Sequence, residues 1–489
     1  MNNSESVEKY NLVIIGSGQA ASPLARGAAA AGWKVAVVEE DQPGGTCINT
    51  GCTPTKTLVA SARAAYVARN SGRWGVNTGV AAEDVTVDWP AVRGLRDKIV
   101  DDFRSGSLKG LTGTDGLEYI EGHGELTGSR EVKITSGSGG SLSSRTITAE
   151  RIVLDVGGRS HIPDIPGLDS VKWVDSAGLQ SIEKLPRHLV VLGGGYIGLE
   201  FGQMFRRFGC DVSIVHRGEH LLSREDEDIA REMEKILKNE GIQVITAVHP
   251  SGITPAAGND DEFILTLESA SGRPEPDSII ADLVLIATGR GPKTENLGLD
   301  AAGIKTDKRG FISVNDSLET SAEGIWAVGD CKGGPAFTHI AYDDYRLLRD
   351  LWFPVDASAS GVVSPRTGIS GRPVPYTVFT NPQFGRIGLS EKDAAAAGIE
   401  VEVYSIPFTW VARALEAGET AGLMKILASP TDGHILGAAV LGMEGGELAT
   451  MIQLAMAGGL TIFDLKETIF PHPGLAEAFN NLIAYGKRA

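Results

Sequence analysis

The chain has 489 residues, which at roughly 150 residues a domain predicts about three domains. Lysine and arginine total 45 against 62 aspartates and glutamates, and the net charge of −17 argues against a general binder of nucleic acid or of acidic membranes. Apolar residues make up 42% and charged residues 22%, a balance typical of a globular protein, and the 62 glycines predict many tight turns and close backbone approaches.

Four cysteines in a chain of this length do not form a disulfide scaffold. The first ten residues lack a basic stretch followed by an apolar core, so no signal peptide is visible. No segment approaches the roughly 18 uninterrupted apolar residues that a membrane span needs. We therefore expect a cytoplasmic protein with neither a membrane nor a nucleic-acid partner.

The first predicted elements form a βαβ unit: a strand over 11–15, a glycine turn, an alanine-rich helix and a strand over 34–38. Gly16 makes the tight turn, Gly18 lets a pyrophosphate approach the helix N-terminus, and Ala21 permits close helix–strand packing. Glu39 follows Gly18 by 21 residues, where an acid binds an adenosine ribose. The unit predicts a dinucleotide site.

A paired-cysteine segment, GGTCINTGCTPTK over 44–56, follows directly. Cys47 and Cys52 can reach each other across little more than one helical turn, and Cys52 precedes a helix predicted over 55–70 whose dipole favours a thiolate. In a cytoplasmic chain such a pair is more often catalytic or metal-binding than structural, and no nearby Cys or His completes a zinc site. The segment therefore predicts a redox-active pair.

The same order of elements returns at 188–215: a strand, the turn Gly193-Gly194-Gly195-Tyr196-Ile197-Gly198, a helix and a second strand. The count that leads from Gly18 to Glu39 leads from Gly195 to His216, with Arg217 next. An acid there would accept the ribose hydroxyls of NAD, whereas a His-Arg pair offers positive charge to a 2′-phosphate. Despite nearby Glu219, this pattern favours NADPH, with NADH as the alternative.

The remaining segments complete the predicted organisation. A β-hairpin has a Gly/Ser-rich tip at 136–144, strands at 152–156 and 283–287 run into glycine, and a helix covers 338–352. The Ser/Gly/Pro-rich stretch 357–373 predicts a linker or exposed loop, and the residues after it mix strands with alanine-rich helices, as in an α+β domain.

The first glycine turn followed by GGTCINTGCTPTK resembles the flavin-dependent pyridine nucleotide–disulfide oxidoreductases, which include dihydrolipoamide dehydrogenase, glutathione reductase and mercuric reductase. The resemblance covers essentially the whole chain, and TGCTPTK is most similar to the mercuric-reductase-like branch. It implies an α/β fold with two Rossmann-like dinucleotide-binding domains and a C-terminal α+β dimerisation domain. The expected ranges are 1–155 and 287–356 for the FAD domain, 156–286 for the NAD(P) domain and 357–489 for dimerisation.

The resemblance also implies roles for individual residues. Cys47 resembles the interchange thiol that attacks the substrate, and Cys52 the charge-transfer thiolate beside the flavin. Lys56 resembles the lysine near flavin N5, with Glu200 as its ion-pair partner, and Tyr196 the ring that covers the flavin until nicotinamide displaces it. The full set of predicted cofactor-binding residues is Gly16, Gly18, Ala21, Glu39, Gly45, Thr46, Lys56, Gly193, Gly195, Gly198, His216, Arg217, Gly289, Gly329 and Asp330.

Two short motifs extend the resemblance. Gly329-Asp330 resembles the second FAD motif, whose aspartate binds the ribityl chain, and Gly289 lies in a segment resembling the return from the NAD(P) domain. The counterpart of that segment, Asp155-Val156-Gly157-Gly158, departs from the usual Thr-Gly, so no role is assigned to it. Cys210 and Cys331 have no partner within a few residues and are interpreted as packed side chains.

Near the C-terminus, His472 is followed five residues later by Glu477. In disulfide reductases of the family such an element supplies an acid–base dyad from the partner subunit, which implies a homodimer. His472 would shuttle the proton of Cys47, and Glu477 would orient the imidazole. Mercuric reductases typically lack this histidine and carry a C-terminal cysteine pair, whereas this chain has no cysteine after Cys331.

Three functions remain open on the sequence. The first is a homodimeric FAD enzyme that passes electrons from NADPH through Cys47 and Cys52 to a low-molecular-weight disulfide. The second keeps the electron path but reduces a metal ion, Hg(II) or Cu(II), since the segment FTHIAYDDYRLLRD resembles both mercuric reductases and copper-reducing stress flavoproteins. The third is a non-catalytic docking subunit. No resident metal site is predicted.

Overall fold

The computed structural model describes residues 7–137, 142–269, 276–354 and 367–488. The chain divides into two compact units. Unit 1 contains the N-terminal residues to Thr55, Gly94–Ser160 and Arg290–Arg372, and unit 2 contains Lys56–Arg93, His161–Gly289 and the residues from Pro373 onward.

Unit 1 is built around a mixed sheet. Its strands are Glu8–Ile15, Val35–Glu39, Leu117–Glu121, His123–Gly128, Glu131–Ser136, Ser143–Leu154 and Ile325–Ala327. Glu8–Ile15 is central, with parallel neighbours Val35–Glu39 and Ser143–Leu154 on its two sides. Leu12, Val13 and Ile14 are all fully buried, as expected for a parallel strand covered on both faces. The carboxyl ends of these strands therefore meet at one edge.

Helices and short segments complete unit 1. The helices are Ala21–Ala30, Gly45–Asn49, Thr338–Trp352 and most of Trp89–Thr112, with a 3₁₀ turn at Gly329–Lys332. Gly158–Ser160 pairs with Arg290–Pro292 in an antiparallel ribbon. Helix Cys52–Arg69 begins in unit 1 and continues in unit 2.

Unit 2 holds a second parallel sheet, of strands Gln243–Thr246, Asp211–His216, His188–Leu192, Leu283–Ile286 and Trp173–Val174 in that order. Its helices are Ser176–Leu179, Tyr196–Phe208 and Glu227–Asn239. An antiparallel sheet of Val248–Ala256, Asn259–Ser269 and Ser278–Ala281 accompanies it. Short 3₁₀ turns lie at Ser71–Trp74, Ala82–Asp84 and Leu168–Ser170.

The C-terminal part of unit 2 is α+β. Its antiparallel sheet contains, in order, Tyr376–Val378, Gln383–Gly388, Ile435–Gly442, Leu423–Ala428 and Glu402–Pro407. Its helices are Glu391–Ala397, Ala412–Ala417, Gly445–Ala457, Ile462–Glu467 and Ala478–Tyr485, with a 3₁₀ turn at Phe408–Trp410. Helix Gly445–Ala457 buries Leu448 and Ile452 and exposes Met451 and Leu454.

This architecture confirms the predicted fold class. The helix predicted over 338–352 has those bounds, whereas the one predicted over 55–70 begins earlier, at Cys52. The hairpin strands are present, but the central residues of the predicted tip and most of the loop predicted over 357–373 lie outside the described residues. Among the described residues, no helix combines the length and apolar character needed to span a membrane.

Candidate active site

The first glycine turn lies at the carboxyl end of the central strand in unit 1. Gly16 has φ of +96°, and a Cβ on it would lie 2.3 Å from the Asp155 carbonyl oxygen, so only glycine fits this turn. Ala21 begins helix Ala21–Ala30 and is fully buried against the sheet. The turn therefore directs a helix N-terminus at the sheet edge, an arrangement suited to a phosphate.

Glu39 is held beside this turn. Its Oε2 accepts hydrogen bonds from the Ser17 backbone N–H at 2.8 Å and from the Ser17 hydroxyl at 2.6 Å. Its Oε1 accepts the Asp41 N–H at 2.9 Å. The carboxylate is fixed at the end of strand Val35–Glu39, where a ribose hydroxyl can donate to it.

The two cysteines lie on separate helices. Cys47 lies in Gly45–Asn49, whereas Cys52 is the first residue of Cys52–Arg69. The first helix ends at Asn49, and a Cβ on Gly51 would lie 2.8 Å from the Thr46 carbonyl oxygen of that helix. We expected the two cysteines to be spaced along little more than one helical turn, whereas the structure has a break between two helices there. Thr46 is exposed.

Asn49 stabilises this segment. Its side-chain amide donates to the Gly45 carbonyl at 2.9 Å and to the Pro43 carbonyl at 3.1 Å. Its Oδ1 accepts from Arg104 Nε at 2.8 Å. The helix that carries Cys47 is therefore tied to the loop before it.

The two thiols interact directly. Cys47 and Cys52 share a side-chain hydrogen bond, which together with burial and the charge of Cys52 raises the pKa of the Cys47 thiol. Cys52 Sγ also lies 3.2 Å from Thr338 Oγ1, at the start of helix Thr338–Trp352. Cys52 thus begins one helix and contacts the first residue of another. Since both helix N-termini favour an anion, Cys52 is the thiol placed to carry the negative charge.

Lys56 lies one turn beyond Cys52 on the same helix. Its ammonium is 2.7 Å from Glu200 Oε2 and 4.7 Å from the centre of the Phe379 ring. The Glu200 side chain is only 4% exposed, and its Oε1 accepts the Phe379 backbone N–H at 2.8 Å. The structure thus brings together the predicted ion pair, and both glutamate oxygens are engaged. Tyr196, half-buried, begins the helix that carries Glu200.

The second glycine turn, in unit 2, repeats the geometry of the first. Gly193 has φ of +122°, and a Cβ on it would lie 2.2 Å from the Ala287 carbonyl oxygen. A Cβ on Gly198 would lie 2.1 Å from the Gly193 carbonyl oxygen, so the helix packs closely against the strand. Around Gly195, by contrast, the Cβ position is open. The backbone is accessible there to a phosphate.

His216 and Arg217 occupy different environments at this turn. His216 Nδ1 accepts the Gly194 N–H at 3.1 Å, which identifies the neutral tautomer with its proton on Nε2. Burial, together with the nearby Arg217 charge, lowers the pKa of His216. Arg217 and Glu219 are exposed. At neutral pH the positive charge available at this position is therefore that of Arg217 alone.

The predicted second cofactor motif lies in unit 1. Gly329 has φ of +67° and begins the 3₁₀ turn that contains Asp330. Burial raises the pKa of Asp330, and Arg290, whose Nη2 lies 3.6 Å away, opposes that shift. The Gly329 N–H donates to Asp344 at 2.8 Å. Gly289, in unit 2, has φ of +135° and an open Cβ position.

His472 and Glu477 form the predicted dyad within unit 2. His472 Nδ1 lies 2.8 Å from Glu477 Oε2 and 3.0 Å from Oε1. Glu477 therefore contacts Nδ1 of the ring and not Nε2. The imidazole is 66% exposed. Neighbouring Ile469 is 96% exposed, an unusual environment for a large apolar side chain. The dyad is formed, and it lies on an open surface.

The residues of unit 1 fit a bound FAD. Gly16 and Gly45 both have positive φ, at +96° and +63°, and they shape the turn beneath a helix N-terminus. Glu39 supplies a fixed carboxylate at the strand end, and Asp330 supplies a second carboxyl at the Gly329 turn. The donor and acceptor pattern suits pyrophosphate and hydroxyl groups.

Comparison with known proteins defines the family. Residues 10–344 match the family "Pyridine nucleotide-disulphide oxidoreductase", and residues 374–483 match its dimerisation domain. The chain belongs to this family, whose members use FAD and NAD(P)H, and it is an FAD-dependent disulfide or metal reductase. The dimerisation domain supports a homodimer.

Individual relatives cover almost the whole chain. The probable pyridine nucleotide-disulfide oxidoreductase RclA of Escherichia coli is 33% identical over 98% of this chain and 100% of its own length. Mercuric reductase of Bacillus cereus is 33% identical over 97% and 71% of the two chains, and dihydrolipoyl dehydrogenase of Thermus scotoductus is 32% identical over 96% of each. The solved Cu(II) complex of HOCl-induced flavoprotein disulfide reductase RclA has a TM-score of 0.84 at 32% identity, covering 98% and 99%. These relatives do not favour the docking-subunit interpretation.

Three contacts of the site were absent from the sequence interpretation. The Thr338 hydroxyl contacts the Cys52 sulfur, and the Phe379 N–H donates to the Glu200 carboxylate. Asn49 donates to the Gly45 carbonyl in the helix that carries Cys47. Asn49 lies inside the quoted dithiol segment and offers a local signal, since asparagine favours turns. Thr338 and Phe379 are distant in sequence from the residues they contact and give no such signal.

Proposed function

We propose that the protein is a homodimeric NADPH-dependent disulfide reductase that acts on a low-molecular-weight disulfide. The observation that carries this proposal is the Cys47–Cys52 pair, in which Thr338 and a helix N-terminus favour an anion at Cys52. FAD, when bound, supplies the two-electron carrier between the nicotinamide and this pair. We assign FAD to unit 1, and NADPH to the parallel sheet of unit 2.

The dithiol performs the exchange. The Cys47 thiolate attacks one sulfur of the acceptor disulfide, so a Cys47–substrate disulfide forms, the acceptor S–S bond breaks and one thiolate leaves. The Cys52 thiolate then attacks the Cys47 sulfur, releasing the second substrate thiolate and forming the Cys47–Cys52 disulfide. The two leaving thiolates each take up a proton, and the pair has lost two electrons.

His472 is the proposed acid–base catalyst for these proton transfers. In its neutral form the imidazole takes the proton of Cys47, and in its charged form it protonates the leaving thiolate. Glu477 holds Nδ1 and stabilises the charged imidazole. We propose that the dyad serves the Cys47 of the partner subunit, which its exposed position at the end of the dimerisation domain supports.

Lys56 and Glu200 are proposed to act on the flavin side of the pair. The buried Glu200 carboxylate pairs with the Lys56 ammonium and restricts its position. A fixed cation there would favour negative charge on the cofactor as electrons arrive. The Tyr196 ring is proposed to cover the flavin until the nicotinamide displaces it.

NADPH is the proposed electron donor because of Arg217. The neutral His216 packs on the glycine turn and accepts from it, so it orders the turn rather than binding phosphate. Arg217, exposed at the end of strand Asp211–His216, is placed to pair with a 2′-phosphate through its two-pronged guanidinium.

Metal-ion reduction is the second candidate. It is favoured by one finding, that two solved structures of the relative RclA are Cu(II) complexes, one of them with a cysteine replaced. The reduced Cys47–Cys52 pair could transfer one electron to each of two Cu(II) ions, giving two Cu(I) ions, the disulfide and two released protons. Thiolates are soft ligands that select Cu(I), the product of that reaction.

One experiment separates the candidates. NADPH oxidation by the purified holoprotein is measured with lipoamide, glutathione disulfide, other small disulfides, Cu(II) and Hg(II), each for wild type and His472→Ala. Turnover of a disulfide that falls at least about a hundredfold in the variant supports the proposal. Turnover restricted to a metal ion and unchanged in the variant contradicts it and supports the second candidate.

A further inference from the structure

Asp155 is the first residue of the segment, residues 155–158, that departs from the family's usual Thr-Gly pattern. It follows strand Ser143–Leu154 at the sheet edge, and its N–H donates to the Ile15 carbonyl at 2.8 Å. Its side chain is buried, with the residue only 6% exposed. A carboxyl group thus lies inside unit 1 where the FAD turn begins.

This carboxyl connects the two FAD motifs. Its Oδ2 accepts the Ala21 N–H at 2.9 Å, at the N-terminus of the first helix. A Cβ on Gly18 would lie 2.8 Å and 2.9 Å from its two oxygens, and a Cβ on Gly329 would lie 3.1 Å from Oδ1. The side chain therefore fills the space between the Gly18 turn and the Gly329 turn.

The charges around Asp155 differ from those around the neighbouring buried acid Asp344. Asp344 lies 3.3 Å from Lys332 Nζ and 2.6 Å from Arg372 Nη1, so its negative charge is compensated. Asp155 forms no ion pair within the described ranges of the chain. The Ala21 N–H is its hydrogen-bond donor.

The charged groups facing Asp155 come from each packed element. Glu39 ends strand Val35–Glu39, which lies on the far side of the central strand from Asp155. Asp330 and Lys332 lie in the 3₁₀ turn, and Asp344 lies on the helix that follows. Arg290 pairs with Asp330, and Lys332 and Arg372 pair with Asp344. Burial raises the pKa of Asp155, the Ala21 hydrogen bond opposes this, and the charges of Asp330, Asp344 and Glu39 raise it further. The FAD pyrophosphate would add more negative charge at this edge.

We infer that Asp155 is a positioning residue for FAD that joins the Gly18 and Gly329 turns and holds a proton on its carboxyl while the dinucleotide is bound. As a neutral acid it accepts the Ala21 N–H without repelling the pyrophosphate. As a carboxylate it would place an uncompensated charge beneath that group. This inference rests on the proposed binding of FAD to unit 1.

Linkage gives the sign of the effect. If FAD binds the protonated form, then raising the pH removes that proton from the free protein first and weakens FAD binding, by up to tenfold per pH unit. Asp155→Asn keeps the shape and an acceptor oxygen without an ionisable proton, so its FAD affinity should not depend on pH through this group. Asp155→Ala removes the acceptor for Ala21 and should weaken FAD binding about tenfold at every pH.

The test is the dissociation of FAD from the holoprotein, followed by the fluorescence of released flavin after dilution, from pH 6 to pH 10. We expect wild type to lose affinity at alkaline pH, Asp155→Asn to bind within about threefold of wild type at pH 7 with a flatter profile, and Asp155→Ala to bind weakly throughout. Asp344→Asn is the matched control, and should lower the thermal midpoint because it leaves two buried cations, whereas Asp155→Asn should not.

Three outcomes would overturn the inference. The first is a flat wild-type profile, and the second is Asp155→Asn binding as weakly as Asp155→Ala. The third applies even if the variants fold poorly: an infrared spectrum of the wild-type holoprotein at pH 7 without the carbonyl stretch of a buried protonated carboxyl. A protein that binds no FAD at any pH would instead contradict the proposed function itself.

Discussion

Gly45, which begins the helix of Cys47, lies against Gly18 of the first glycine turn, so closely that a Cβ on Gly45 would lie 2.9 Å from the Gly18 Cα. The Gln19 side chain also donates to the Gly44 carbonyl at 3.2 Å. The dithiol segment is thus built directly on the dinucleotide turn. This contact explains how the dithiol segment holds Cys47 at a fixed place beside the first glycine turn.

Thr338 should stabilise the Cys52 thiolate. Thr338→Val removes the hydroxyl 3.2 Å from Cys52 Sγ, so the thiolate loses a charge-assisted hydrogen bond. We expect the pH midpoint of the long-wavelength absorbance that a thiolate gives beside flavin to rise by about one unit. Thr338→Ser, which keeps the hydroxyl, should restore the wild-type midpoint. An unchanged midpoint in Thr338→Val would show that the contact has no electrostatic role.

Mixed dimers test the origin of the acid–base dyad. Cys47→Ser and His472→Ala are each expected to reduce disulfide turnover at least about a hundredfold as homodimers. If the dyad acts across the dimer, a heterodimer of the two keeps one intact site, so random reassembly should recover about a quarter of wild-type activity. Recovery of no activity from verified heterodimers would place the dyad and Cys47 of one reaction in the same subunit.

Arg217 should determine the preference for NADPH. Arg217→Gln removes the charge available to a 2′-phosphate, at a cost of roughly 1.5–3 kcal/mol or about ten- to a hundredfold in affinity. The loss should appear in the KM for NADPH, with kcat and the KM for NADH nearly unchanged, because the phosphate is remote from hydride transfer. Glu219→Gln is the control. Wild type preferring NADH would contradict the assignment.

A buried ion network in unit 2 makes stability depend on pH. Lys425 is fully buried, with Nζ 2.7 Å from Asp226, 2.9 Å from Asp228 and 2.5 Å from Glu391. Burial alone would raise the pKa of Asp226, but the hydrogen bond and charge of Lys425 hold it below its ordinary value, 3.8. Since the folded pKa is lowered, the stabilisation is present above about pH 4 and is lost as pH falls further.

Lys425→Met should therefore destabilise the protein by about 3–5 kcal/mol at pH 7, because the carboxylates lose their buried cation. The difference from wild type should shrink as the pH falls below 4 and the acids become protonated. Denaturant unfolding at both pH values measures it. Lys487→Met, which removes an exposed partner of Glu402, should cost no more than about 1 kcal/mol. Equal costs for the two variants would contradict a cooperative network.

Local sequence patterns were sufficient to predict the elements of the first βαβ unit and one later helix. Strand, glycine turn, helix and acid in fixed order located Glu39 at its strand end, and the helix predicted over 338–352 has those bounds. The break between the cysteines was not predicted, since it depends on the approach of Gly51 to the Thr46 carbonyl.

Contacts between distant segments were accessible only through the family resemblance or not at all. Lys56 and Glu200 are 144 residues apart, and residue spacing carries no information on such a pair. The partners of Asp155 were likewise not predicted, although the segment that it begins departs from the family's usual Thr-Gly pattern. The roles assigned to the cysteines, to the dyad and to Arg217 stay predictions for the experiments above.

The central claim is that NADPH electrons reach the Cys47–Cys52 pair, and an anaerobic titration of the holoprotein with NADPH tests it most directly. One equivalent of NADPH per active site should generate two titratable thiols and the long-wavelength absorbance of a thiolate beside flavin. Cys52→Ser should lack that absorbance, whereas Cys47→Ser should retain it. If one equivalent fully bleaches the wild-type flavin without producing thiols or that absorbance, the pair does not receive the electrons and the account is contradicted.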